Sequence, residues 1–320
     1  GGESVAFTGN ATEALNIVIS GLVKKGDHVI TTQAEHNSVL RPLYRKEKEG
    51  AELTILPVDQ KGNFSLEEME KAVRENTRAV ICTHASNVTG NLYPAEQIGK
   101  LCRRHGLLFI LDAAQSAGEA PIDMQKMYID VLCFTGHKGL MGPQGTGGVC
   151  VDPQVKIPAF KVGGSGILSF DREHPGCMPE ALEAGTLNIH GLAGLEAAFD
   201  YLQDTGLEKI MEYENRLAEI FYEKIRKIPG VEVYGDFSLP GRTAVVSLNV
   251  AGFTSKEAGD LLAQRYEIAT RAGVHCAPLI HQALGTMERG TLRFSFSRFN
   301  TEEEIHRAAL AVKEIAGERE

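Results

Sequence analysis

An apolar run from Leu107 to Leu111 ends on Asp112. A second, beginning at Val131, passes through Thr135-Gly136-His137 to Lys138, twenty-six residues after that acid. Each run reads as a buried strand that delivers its charged residue to the mouth of a sheet. An acid and a lysine carried to the same end of one sheet call for a ligand between them. Pyridoxal phosphate has matching needs: a lysine to condense with its aldehyde, and an acid to keep its ring nitrogen protonated so that the ring can act as an electron sink.

Other residues fit around that pair. The segment FTGNATEAL places Thr8, Gly9, Asn10, Ala11 and Thr12 where a strand turns into a helix. The first helical turn has unpaired N–H groups and a positive dipole end, which suit a phosphate. Simple helix capping by Thr8 or Asn10 is the better reading of the motif alone; beside Asp112 and Lys138 the phosphate reading gains. Thr135 and His137 offer a hydroxyl and an imidazole to the same phosphate. Gln115 leaves the Asp112 strand and can reach the same ligand. Asn87, in HASNVTGNLYP, is either a turn residue or a donor to the ligand's phenolate oxygen or to a substrate carboxylate. His36 either lies against a flat ring and exchanges a proton with substrate, or caps the next helix. Gly185 and Thr186 lie in a later loop that precedes a helix. Arg293, inside the strand-like TLRFSFS, has the planar fork that pairs with a carboxylate; a structural salt bridge competes at even odds. Arg298 is expected at the surface.

The elements that must position these residues alternate. ESVAF, HVITT, ELTILPV, RAVICTH and the Asp112 run read as strands; ATEALNIVISGLV, SVLRPLYRKEKEG, SLEEMEKAVRE and PAEQIGKLCRRHG between them read as helices. Such alternation predicts an α/β fold with a mostly parallel sheet covered on both faces, and ligands of such sheets gather at the carboxyl ends of the strands. From about Gly191 two long amphipathic helices lead into shorter elements. There VEVYG, TAVVSLNV and TLRFSFSRF read as strands, and SKEAGDLLAQRY and TEEEIHRAALAVKEIA as helices. The expected division is a large domain over 1–228 and a small C-terminal α+β domain over 229–320.

Composition narrows the function classes. The 320 residues carry 33 Lys and Arg against 42 Asp and Glu, a formal charge of −9, with no basic stretch free of interleaved acids. That argues against nucleic acid as a partner. No apolar run approaches a membrane span and no signal peptide opens the sequence, so the cytoplasm is the expected location. The six cysteines show no CxxC pair, which suggests neither a disulfide framework nor a metal site. Cys82, Cys133 and Cys150 sit in strand-like runs as small core residues. Cys276 differs: RAGVHCAPL, with Gly273 and Pro278, is loop chemistry.

With these residues in hand the chain resembles fold-type I pyridoxal-phosphate enzymes of the class V aminotransferase group. More narrowly it resembles the cysteine desulfurases and selenocysteine lyases (NifS- and SufS-like). FTGNATEALN, EHNSVLRP, HASNVTGN, LDAAQSAG, FTGHKGLMGPQGTGG, EAGTLNIHG, RAGVHCAPL and LRFSFSRFNTEEEI carry the likeness in family order. The resemblance implies Lys138 as the cofactor-binding lysine, Asp112 at the pyridine nitrogen and His36 stacked on the ring. It gives Asn87 and Gln115 the ring substituents, and Ala11, Thr12, Thr135 and His137 the phosphate, with Thr186 lent by the second subunit of a homodimer. Arg293 would hold the substrate carboxylate. Cys276 would be the nucleophile that takes sulfur from L-cysteine, leaving alanine, with His275 and Arg271 favouring its thiolate. The spacing of seventeen positions from Cys276 to Arg293 resembles the group II branch, in which a separate acceptor protein collects the sulfur. Family members carry several dozen residues ahead of the phosphate-binding turn, whereas this sequence opens at GGESVAF, and Val274-His275 stands where many relatives have paired histidines. Selenocysteine lyase, a class V aminotransferase that makes no use of the thiol, and a non-catalytic scaffold are the competing readings.

Overall fold

The computed structural model describes residues 4–239 and 241–318, and the chain divides into two compact units. The first comprises residues 1–56, 65–84 and 93–204. It runs β1 (Val5–Thr8), α1 (Ala11–Leu22), β2 (His28–Thr32), α2 (Asn37–Lys48), β3 (Glu52–Leu56), α3 (Leu66–Lys71), β4 (Thr77–Thr83), α4 (Ala95–His105), β5 (Leu108–Asp112), β6 (Val131–Thr135) and β7 (Gly147–Val151), and then α5 (Ile189–Thr205). The strands form one seven-stranded sheet in the order β1-β7-β6-β5-β4-β2-β3.

The stretch from β6 to β3 is parallel, as the alternation predicts, while β7 runs antiparallel to both β1 and β6. Two strands each antiparallel to β7 share a direction, so β1 and β6 end at the same edge as β5, β4 and β2. That edge carries Thr8, Thr135, Asp112 and Thr83. The strands there are buried on both faces, and α1 seals one of them with Ala14, Leu15, Ile17, Val18, Ile19 and Leu22. Helix α3 is shorter than SLEEMEKAVRE suggests. The Arg74 N–H donates to Thr77 Oγ1 at 2.6 Å instead of continuing the helical ladder.

The second unit comprises 57–64, 85–92 and 205–320. It holds α6 (Leu207–Ile225), β8 (Val231–Tyr234), β9 (Val245–Val250), α7 (Ser255–Tyr266), β10 (Arg271–Gly273), α8 (Pro278–Ala283), β11 (Thr291–Ser295) and α9 (Glu302–Gly317). Its antiparallel sheet has the order β10-β11-β9-β8. The unit begins at Thr205, ahead of the expected 228/229 division, because Leu217, Phe221 and Ile225 of α6 are buried in the same core as Val246, Phe294 and Val312. Residues 85–92 join it through polar bonds: Ser247 Oγ donates to Val88 O at 2.5 Å, Thr243 N to Gly90 O at 2.9 Å, and Asp236 N to Asn91 Oδ1 at 2.9 Å. Helices α7 and α9 each start on a capping box, Thr254 with Glu257 and Thr301 with Glu304. No helix among the described residues is long and apolar enough to cross a membrane.

Candidate active site

Asp112 ends β5 and pairs in register with Thr83 of β4 on one side and Cys133 of β6 on the other. Its side chain is 3% exposed, and Oδ1 accepts from Ala114 N at 2.9 Å. Burial pushes the carboxyl above its ordinary range, while the Ala114 N–H and the Lys138 charge pull it back. Beyond β6 the chain closes a tight loop: Gly136 N donates to Thr146 O at 2.9 Å, Gly142 N to Gly136 O at 2.7 Å, and Met141 N to Lys138 O at 2.8 Å. Lys138 is exposed on this loop.

The loops that follow β5 and β6 touch at two glycines. Gly118 has φ +86°, and a Cβ there would stand 2.3 Å from the carbonyl carbon of Gly139. Any side chain at 118 therefore drives the loop after Asp112 away from the loop that carries Lys138. Gly118→Ala is expected to cost about 1–3 kcal/mol of stability, seen as a lower urea midpoint at unchanged slope.

At the β1 end the register is close. Thr8 and Thr135 both lie opposite Gly147, one strand apart. Asn10 caps α1, its side chain accepting from Glu13 N at 3.0 Å, so the capping role is realised. Ala11 and Thr12 hold the first two helical positions, where backbone N–H groups lack intrahelical acceptors. The Gly9 N–H is committed elsewhere: it donates to Glu13 Oε2 at 2.6 Å, and Lys161 pairs with the same carboxylate at 2.6 Å. Thr135 Oγ1 lies 2.9 Å from His137 Nδ1. Burial and the Lys138 charge lower the His137 pKa, which favours its neutral form.

His36 caps α2 with its ring, Ser38 N donating to Nδ1 at 3.1 Å. A backbone N–H only donates, so Nδ1 is the acceptor and the neutral ring carries its hydrogen on Nε2. Ser38 Oγ lies 2.8 Å from the same Nδ1 and 2.7 Å from Thr12 Oγ1. One short chain of bonds thus fixes the imidazole relative to the α1 turn. Gln115 is half-buried in the turn after Asp112, and Thr186 is exposed in the segment before α5.

The second unit gathers the other named residues. Asn87 is 8% exposed; its Nδ2 donates to His275 O at 2.7 Å, and its carbonyl accepts from Arg293 Nη1 at 3.0 Å. His275 and Cys276 both adopt left-handed backbone, φ +50° and +58°, and the Cys276 thiol is exposed while His275 is buried. His275 Nε2 lies 3.1 Å from Thr291 O. Burial first, then the positive charges of Arg293 and Arg271, hold its pKa down to about 3. The expected cationic help from His275 for a thiolate is therefore not available: the ring is neutral. Arg271 is exposed and pairs with Arg293 across β10 and β11. Arg298, expected at the surface, is half-buried, and its N–H donates to Glu214 Oε1 at 2.8 Å.

Three residues with a bearing on these sites escape sequence reasoning. Ser38 links His36 to Thr12. His281 is wholly buried, with its ring centroid 5.7 Å from that of His275 and Nδ1 2.7 Å from Thr286 Oγ1. Glu35 is wholly buried at the end of β2, and its one sequence signal is a carboxylate placed between an apolar strand and a helix cap.

Comparison with known proteins shows the family. The family model for aminotransferase class-V matches residues 2–308. A probable cysteine desulfurase of Methanothermobacter thermautotrophicus is 34% identical over 98% of this chain and 80% of its own length. The apo cysteine desulfurase of Thermococcus onnurineus superposes with a TM-score of 0.93 at 34% identity, covering 99% of this chain and 80% of that one. A cysteine desulfurase of Escherichia coli, solved in its S-sulfonic acid form, gives 0.91 at 28% identity, covering 99% and 79%. A fold with Asp112 and the Lys138 loop at the carboxyl edge of its sheet, matched along nearly its whole length by these proteins, belongs to the class-V aminotransferase family and within it to the cysteine desulfurases.

Proposed function

We propose that this chain is a pyridoxal-phosphate-dependent cysteine desulfurase that converts L-cysteine to L-alanine, receives the sulfur on Cys276 as a persulfide and passes it to an acceptor protein. The observation that carries the reading is an exposed thiol on a left-handed turn, in a unit that also binds Asn87 to Arg293, within a chain of this family. The donor set supports the cofactor. A buried acid with one oxygen spent on its own loop, an exposed lysine, a neutral imidazole with its hydrogen on Nε2, and two helical N–H groups beside a hydroxyl–imidazole pair match a pyridinium nitrogen, an aldehyde, a flat ring and a phosphate.

When bound, pyridoxal phosphate supplies the aldehyde that captures the substrate amino group and the conjugated ring that spreads the charge left at its Cα. Lys138 would be the residue that holds the cofactor through its aldehyde and would serve as the base that moves the substrate Cα proton. Asp112 would stand against the ring nitrogen, where the positive charge of that nitrogen would add to the Ala114 N–H and the Lys138 charge in opposing the cost of burial. Ala11, Thr12, Thr135 and His137 anchor the phosphate, and Thr186 serves the partner subunit of a homodimer. His36, fixed by Ser38, would lie against the ring and exchange a proton with substrate. Gln115 and Asn87 contact the ring substituents, and Asn87 also fixes the backbone beside Cys276. Arg293 pairs with the substrate carboxylate. The Cys276 thiolate would attack the substrate sulfur: the S–S bond forms, the C–S bond breaks with its electron pair left on carbon, Cβ takes up a proton, and the proton that Lys138 removed returns to Cα, giving alanine and a persulfide on Cys276.

Cofactor-loaded protein given L-cysteine and a thiol reductant is expected to release alanine and sulfide in equal amounts. No alanine from protein that demonstrably holds the cofactor would overturn the reading.

A further inference from the structure

We propose that Glu35 is a positioning residue for Asp112: a buried carboxyl that clamps the ends of β2 and β4 and so fixes the strand end that pairs with Asp112, while standing close enough for the two carboxyls to feel each other's charge. The inference rests on the cofactor reading above only for what Asp112 faces.

The geometry is specific. Glu35 is 0% exposed. Oε1 accepts from Thr32 Oγ1 at 2.7 Å, at the end of β2, and Oε2 accepts from Thr83 N at 2.8 Å, at the end of β4. Thr83 is the residue that pairs with Asp112, and the next N–H, of His84, donates to Asp112 O at 2.9 Å. The residue after Glu35 is His36, whose ring caps α2. One carboxyl therefore joins the strand beside Asp112 to the turn that sets His36.

Its charge follows from what surrounds it. No ion pair among the described residues includes Glu35; the ionisable groups facing it are Asp112 on β5 and the Cys82 thiol on β4. Cys82 is itself pushed well up by burial and stays neutral. Two carboxyls in one dry region do not both ionise cheaply. Burial first, with the Asp112 charge adding to it, pushes the Glu35 pKa up to about 8 against the Thr32 hydroxyl and the Thr83 N–H, which favour its anion; Asp112 is also pushed up by burial, but has the Ala114 N–H and the Lys138 charge to oppose it. The folded value lies above the ordinary 4.5. Folding thus binds a proton between those limits, and the contribution of Glu35 to stability is full at low pH and declines as pH rises toward about 8.

Thermal unfolding of the cofactor-free protein across that range tests the coupling in parent, Glu35→Gln, Asp112→Asn and the double variant. The expected result is a melting temperature that falls with pH in the parent, a flatter profile in Glu35→Gln, and in Asp112→Asn a fall centred at lower pH, because one like charge is gone. An unchanged slope in Glu35→Gln, or an unmoved centre in Asp112→Asn, would overturn the proposal. These readouts need no cofactor, so failure of the functional reading appears separately, as a parent protein that takes up no pyridoxal phosphate. The clamp is tested by Glu35→Ala, which removes the acceptor of a buried N–H. It is expected to weaken pyridoxal phosphate binding about tenfold, with Glu35→Gln restoring most of the affinity. Equal affinities in alanine and glutamine variants would refute the positioning role.

Discussion

Lys138→Ala is expected to lower alanine formation from L-cysteine by about a thousandfold or more, since it removes both the covalent anchor of the cofactor and the base for the Cα proton. The side chain is exposed on a loop closed by backbone bonds between Gly136, Met141 and Gly142, so the fold is expected to stay within about 0.5 kcal/mol of the parent. The loss also reaches Asp112. With the Lys138 charge gone, only the Ala114 N–H opposes burial, and the carboxyl moves further up. Cofactor affinity is therefore expected to fall as well as the rate. Borohydride reduction followed by peptide mass analysis makes the check direct: the parent carries the cofactor mass on the peptide that contains Lys138, and the variant carries it on none. A cofactor mass found on another lysine would mean that Lys138 does not bind the aldehyde.

The parts of the fold legible in the sequence are those set by local chemistry. Strand and helix alternation through β5 follows from apolar period and from Gly and Pro punctuation, and Asp112 and Lys138 stand out because each closes an apolar run. The assignment of residues 85–92 to the second unit is not local. It depends on Asn91 accepting from Asp236 N, 145 residues away in sequence, and on Ser247 reaching Val88, 159 away. The charge of His275 is hidden for the same reason: next to Cys276 and near Arg271 it reads as a cation, and only burial beside Thr291 and Arg293 makes it neutral. Glu35 looks like an ordinary polar turn residue until β4 covers it.

Cys276→Ser separates the desulfurase reading from its competitors, and the structure says why the loss should be nearly complete. Serine keeps the size and the exposure of the thiol on the same left-handed turn, so folding and cofactor uptake are expected to be unchanged. What it lacks is an anion: a hydroxyl needs a general base to attack at neutral pH, whereas a thiol reaches its nucleophilic form far more readily. The adjacent imidazole does not fill that role. His275 is buried, with Nε2 beside the Thr291 carbonyl, and its pKa, held down to about 3, makes it a weak base. Alanine release from L-cysteine is therefore expected to fall at least about a thousandfold in the variant. Retained alanine release from L-selenocysteine, with none from L-cysteine, would instead favour a selenocysteine lyase, whose substrate releases its chalcogen without a protein nucleophile. Amino-group transfer to a keto acid at the parental rate would mark an aminotransferase in which the thiol at 276 has no part.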